Sequence, residues 1–179
     1  MLDSFLKSPL VRVTFRYGVI AGLLCVGLII ALYYMGKHPL LMNMFLDFRV
    51  PTFAILLFFA LKEFRDYYQN GVLYFWQGTG GSFIFLVTAG AVAASGIMVF
   101  GSFETGFIPE YVRQFTEQIR NLPQDTVEQI GKDVIERNLK ELPGTKLSSL
   151  AMLYAWQGLI IGFFISIIIS VILRRQPQT

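Results

Sequence analysis

The chain has 179 residues, 54% of them hydrophobic and 15% charged, with a mean hydropathy of +0.56, a formal net charge of +3 and a pI near 9.1. That length holds one compact bundle, a single domain over 1–179, and no separate soluble domain of ordinary size. The basic residues are scattered and concentrate at the ends of apolar runs, a pattern of orientation signals rather than of a nucleic-acid surface, and a lone cysteine, Cys25, excludes an intramolecular disulfide or thiolate-rich metal site.

Four stretches carry no acidic or basic side chain: Tyr17 to Gly36, Val50 to Leu61, Tyr67 to Phe103 and Leu147 to Leu173. A helix needs about 20 apolar residues to cross roughly 30 Å of hydrocarbon, so the expectation is an all-α polytopic membrane protein with four transmembrane helices. The first span is predicted over 17–35. Lys7, Arg12 and Arg16 ahead of it resemble the basic start of a secretory signal. The apolar run is too long for one, however, and Ala31 to Gly36 offers no small-x-small cleavage pattern, so it reads as a retained anchor. Gly18 and Gly22 form a GxxxG pair on one face of this helix, a spacing that lets backbones approach closely. His38 follows in a short loop before Pro39, where a solvated or interfacial imidazole is expected rather than a metal ligand.

The second span is predicted over 45–64. Its uncharged part, Val50 to Leu61, makes only about 18 Å of helix. Extension toward Leu40 brings Asp47 and Arg49 to the membrane boundary as candidate intramembrane polar residues, where they must pair, snorkel or face protein. A helix starting near Pro51 and lying half in the membrane is the alternative. Two residues apart on one helix, Asp47 and Arg49 would point to different faces. Gln77-Gly-Thr-Gly-Gly81 lacks the strand that precedes a phosphate loop and reads as the entrance to the third span, 80–103.

From about 107 to 142 the pattern becomes that of amphipathic helix. Ile108, Val112, Phe115, Ile119 and Leu122 recur at steps of four and three, with Pro109 suited to a first helical position. Pro123 ends this helix, and a second is predicted from Asp125, capped by that side chain with Glu128 reaching back. It carries Val127, Ile130, Val134 and Leu139 on one face and the acid-before-base pairs Asp133 with Arg137 and Glu136 with Lys140. Pro143-Gly144 stops it. Ile108, Val112, Phe115, Ile119, Val134 and Leu139 are therefore candidates for a partner surface; the other outcomes are docking on the membrane or packing on each other.

The last span, 150–173, carries the clearest packing signal: Gly158, Gly162, Ser166 and Ser170, small residues at every fourth position. The stripe serves contact within one chain or a homo-oligomer seam. Gln157, beside Gly158, is a candidate polar residue at that contact. With four spans both termini share a side. Lys7, Arg12, Arg16, Lys62, Arg65, Arg174 and Arg175 fall on it, while the long loop from Glu104 to Lys146 has six cations against eight acids. Positive-inside orientation then puts both termini in the cytoplasm and the loop outside. Tyr33, Tyr34, Tyr154 and Trp156 mark the outer edge, and Tyr67, Tyr68, Tyr74 and Trp76 the inner one.

No GxxxxGK[ST], HExxH, CxxC or GxSxG pattern occurs, so neither an enzyme nor a bound cofactor or metal is expected. The chain resembles a family of small bacterial inner-membrane proteins known as domain of unknown function 4199. The resemblance covers nearly the whole chain. It is carried by Phe15-Arg-Tyr-Gly-Val-Ile-Ala-Gly22, Glu63-Phe-Arg-Asp-Tyr67 with Gly71 and Tyr74-Phe-Trp-Gln77, Phe107-Ile-Pro-Glu-Tyr111, and Gly158-Leu-Ile-Ile-Gly162 with Arg174-Arg175. It implies four spans in the inner membrane of a Gram-negative envelope and no assigned activity; with the orientation read from the charges, the loop over 104–149 is then expected to be periplasmic. Two functions are then expected: a non-catalytic envelope interaction or regulatory subunit, embedded in the lipid bilayer and binding an envelope protein, or a small oligomeric transporter or channel using Asp47 and Arg49.

Overall fold

A computed structural model describes residues 8–42 and 47–176; Lys7 and residues 45–46, the predicted start of the second span, lie outside the described residues. Seven α-helices occur among them: α1 (Pro9–Tyr34), α2 (Arg49–Tyr68), α3 (Phe75–Phe103), α4 (Phe107–Arg120), α5 (Gln124–Ile130), α6 (Lys132–Glu141) and α7 (Leu147–Leu173), with single 3₁₀ turns at Pro39–Leu41 and Leu142–Gly144. Helices α1, α3 and α7 are each long and apolar enough to cross a membrane. Helix α2 has the length, with 20 residues, but carries Lys62, Glu63, Arg65 and Asp66 towards its end.

Helices α1, α2, α3 and α7 form a bundle in which α3 packs along both α1 and α7, and α2 closes the opposite side against the same two helices. Across the centre α2 and α3 meet at Phe53 and Phe85, whose rings cross edge to face at 5.9 Å. Successive helices run in opposite directions. The start of α1, the end of α2, the start of α3 and the end of α7 therefore gather at one end, which we call the basic end. There Arg16 donates to both carboxylate oxygens of Glu63 at 2.7 Å, and the backbones of Leu73 and Arg175 exchange hydrogen bonds, tying the end of α7 to the α2–α3 link.

Close backbone approach sets the helix spacing. A Cβ on Gly22 would fall 2.6 Å from Val92 Cβ and 2.9 Å from the Ala89 carbonyl, and one on Gly18 would fall 2.8 Å from the Phe85 carbonyl. On the other flank of α3, Gly162 lies against Leu86 and Gly78 against Ser170, while Gly158 faces the Phe53 ring on α2. Gly18, Gly22, Gly158, Gly162, Ser166 and Ser170 are all buried within the single chain. The hydroxyls inside the bundle are satisfied mostly by their own helices, as Thr14 Oγ1 donates to the Leu10 carbonyl and Ser82 Oγ to that of Gly78.

Several boundaries differ from the sequence reading. Helix α1 starts at Pro9, whose fixed φ suits a first turn, and α7 starts at Leu147. Helix α3 starts at Phe75, because the Gln77 side chain accepts the Tyr74 N–H and stabilises the first turn. The glycines after Gln77 lie within that helix and not in an entrance loop, with Gly78 packed against Ser170 and Gly81 against Leu10 and Thr14, while Gly80 faces open space. Asp125 caps nothing: α5 begins at Gln124 after Pro123, without a side-chain cap. Gly131, at φ +92°, breaks the predicted second amphipathic helix into α5 and α6.

Gly22→Ala should lower the stability of the detergent-solubilised protein by about 1–3 kcal/mol, since the α3 backbone cannot yield to the new methyl. Gly27→Ala, with nothing within 4 Å of its Cβ, should leave it unchanged or slightly higher. Thermal unfolding of the two variants side by side checks the contrast.

Candidate functional site

The two buried side chains among the described residues that can carry a positive charge, Arg49 and His38, lie at the end opposite the basic one, where α4 lies over the bundle. Two arrangements meet there. The first is built on Arg49, 7% exposed at the start of α2. Its Nε donates to both oxygens of Asp47 at 2.9 Å, and its terminal nitrogens reach Asp47, the Tyr154 carbonyl at 3.0 Å and Gln157 Oε1 at 3.3 Å. The guanidinium also stands 4.5 Å from the centroid of the Tyr154 ring. Asp47 accepts the Arg49 backbone N–H as well, so one carboxylate both starts α2 and neutralises its first residue.

That geometry corrects the placement of this pair on opposite helix faces. Asp47 precedes the helix, which starts at Arg49, and the face rule applies only within a helix. Nor is the pair hydrated: the side chains are 8% and 9% exposed. With nearly all its N–H groups directed at protein acceptors, Arg49 has little left for a ligand. It joins the loop before α2 to α7. A cavity of about 200 Å³ opens beside it, lined by Leu40, Met42, Asp47, Gln157, Ile160 and Ile161 among others.

Tyr154 is a second correction, since it is 2% exposed and belongs to the core rather than to an aromatic belt. Its hydroxyl has no hydrogen-bond partner among the described residues, and its polar neighbour is the buried thiol of Cys25. The sequence held a signal for this, because Tyr154 extends the stripe of Gly158, Gly162, Ser166 and Ser170 by one further step of four.

The second arrangement is built on His38, and the expected solvated imidazole is absent: the residue is 1% exposed. Helix α1 ends in a Schellman motif. The N–H groups of Gly36 and Lys37 bond the carbonyls of Tyr33 and Leu32, and Gly36 takes φ +77°. The chain thereby turns back under α4 and delivers His38 among Phe107 at 4.6 Å, Tyr111 at 5.1 Å and Tyr33 at 6.4 Å between ring centroids. Gln114 clamps the turn by accepting the His38 N–H at 2.9 Å and donating to the Gly36 carbonyl at 3.0 Å. Neither ring nitrogen of His38 finds a hydrogen-bond partner among the described residues. Burial lowers its pKa from 6.5 to about 4, against the weaker opposing effects of the Phe107 backbone and the Glu110 carboxylate. Glu110 is itself held down to about 2 by donors from Arg113 and Gln114. Nothing in the sequence marked His38, which has no periodic neighbours and no motif.

The candidate partner residues of the amphipathic segment divide between two roles. Ile108, Val112 and Phe115 pack on the bundle core beside buried Phe107 and Tyr111. Ile119 and Leu139 are half-buried, and Val134 is exposed. Helices α5 and α6 bury no residue at all.

Replacing Arg49 with Ala should destabilise the protein by about 3–5 kcal/mol, because it leaves the Asp47 carboxylate buried and uncompensated. Changing Asp47→Asn together with Arg49→Met should cost less than the two single changes summed, and chemical denaturation in mild detergent reads both.

The family described as Protein of unknown function (DUF4199) matches the chain over residues 16–175. No curated protein and no solved structure matches it.

Proposed function

The chain belongs to the DUF4199 family, and from its geometry we propose that it is a non-catalytic membrane subunit that presents α5 and α6 to an envelope protein partner. One observation carries this reading: α4 buries Phe107 and Tyr111 against the bundle, whereas α5 and α6 bury nothing and leave Ile130 and Val134 44% and 45% exposed. Helices of 7 and 10 residues are marginal in water, so their apolar face is completed by association.

In this reading α2 is a fourth span, held in place by the buried Asp47–Arg49 pair on its starting turn. Arg12, Arg16, Lys62, Arg65, Arg174 and Arg175 at the basic end favour a cytoplasmic location for it, which puts α4 to α6 in the periplasm. A transport role is less well supported. Arg49 is bonded to Asp47, Tyr154 and Gln157, and the small residues of α1 and α7 are filled from within the chain rather than by a second copy.

Ile130→Asp combined with Val134→Asp should remove a stoichiometric protein partner from the complex purified from native membranes, with thermal stability unchanged. Intact-complex mass determination reads the outcome. A complex of unaltered composition, or a chain that purifies only with copies of itself, would overturn the reading.

A further inference from the structure

His38 holds an uncommon position for a titratable group. It lies at the centre of the contact between the α1–α2 loop and α4, its backbone tied to Gln114 and its ring enclosed by Tyr33, Phe107 and Tyr111. A neutral imidazole tolerates that apolar cage better than an imidazolium, which needs two acceptors: neither nitrogen meets one within hydrogen-bond distance among the described residues, and the Phe107 backbone offers partial compensation to one of them at most. The ionisable groups around it are few. Glu110 and Tyr111 face it from α4, Tyr33 from α1 and Lys37 from its own loop, while Glu104 at the end of α3 is engaged by the Tyr34 hydroxyl. Glu110 attracts a cation at His38 but is held by Arg113 and Gln114.

We propose that His38 is an acid-sensitive latch: neutral, it holds α4 against the bundle, and on taking up a proton it leaves the cage, freeing α4 and with it the α5–α6 segment. This goes beyond the partner reading and holds whether or not a partner exists. The sign follows from the direction of the shift. The folded pKa of about 4 lies below the free value of 6.5, so the open form binds the proton more tightly. Closure is then fully favoured above 6.5 and is lost as pH falls from 6.5 towards 4. At pH 5 the opening equilibrium rises by up to roughly thirtyfold over its value at pH 7.5. Glu110, held near 2, keeps its charge throughout and does not contribute.

Because the chain has one histidine, its imidazole signal can be followed directly by NMR in the full-length protein, carrying labelled histidine, in lipid nanodiscs. A titration midpoint well below 6.5 is expected, and a midpoint at 6.5 or above overturns the proposal without any variant. Hydrogen exchange over 107–120, corrected for intrinsic rates and referenced to 150–173 in the same sample, should then quicken by up to roughly thirtyfold between pH 7.5 and pH 5. His38→Phe, which keeps an aromatic ring in the cage, should abolish that pH dependence. Equal quickening in His38→Phe, or none in the unaltered protein, overturns it; should the variant not fold, the titration and the exchange of the unaltered chain decide.

Discussion

Helices α1, α3 and α7 are long and apolar enough to cross a bilayer, and there apolar side chains gain nothing by leaving the lipid for each other, so a bundle of such helices depends on how closely its backbones approach. Helix α3 is the element on which that approach converges. It meets α1 at Gly18 and Gly22 and α7 at Gly162, and it offers its own Gly78 to Ser170. Each contact brings main chain or a short branched side chain to a distance that a single methyl would violate. Dispersion between many such atoms, rather than release of water, holds the three apolar helices together. Once α1, α3 and α7 are fixed in this way, one side of the bundle remains open, and α2 fills it.

Helix α2 is a poor candidate to enter a membrane alone, and the two ends of the bundle explain how it is held. At the basic end Glu63 accepts Arg16 and the Tyr17 hydroxyl, so its charge is matched by the start of α1, while Arg65 and Asp66 pair with each other. At the opposite end, the capped end that α4 covers, the matching is internal to α2 and its leading loop: Asp47 and Arg49 bond each other, and Arg49 bonds Tyr154 and Gln157 of α7. A buried ion pair of this kind is weak evidence for net stability, because desolvation offsets most of its attraction. Its directional bonds do determine which part of α7 lies beside the start of α2.

The apolar runs, their lengths and the small-residue steps were legible because they follow from a period of 3.6 residues, which any helix repeats. The same periodicity revealed α4, where Ile108, Val112 and Phe115 do face the core. What escaped depended on single turns of chain outside that repeat. The pairing of Asp47 with Arg49 required knowing that the helix starts at Arg49, and the burial of His38 required the Schellman turn at Gly36. Tyr154 lay on the buried stripe, but its aromatic ring near a span end suggested an interface. Gly131 was passed over because the apolar residues on either side of it keep step, although a positive φ interrupts the helix between them.

The capped end thus holds two buried polar side chains whose surroundings differ in kind. Arg49 carries a permanent charge, and its site meets nearly all of its N–H groups with acceptors. Those acceptors leave it no second state to adopt. His38 can shed its charge, and its site provides none. An apolar cage costs the charged form of such a group far more than the neutral one, and what a change of charge can move is whatever covers it. Here that cover is α4, a helix attached to the bundle through Phe107, Tyr111 and Gln114 at the His38 cage and through Ile108, Val112 and Phe115 beside it. The rigid pair therefore anchors the membrane part of the molecule, and the segment most able to respond lies one loop away from it.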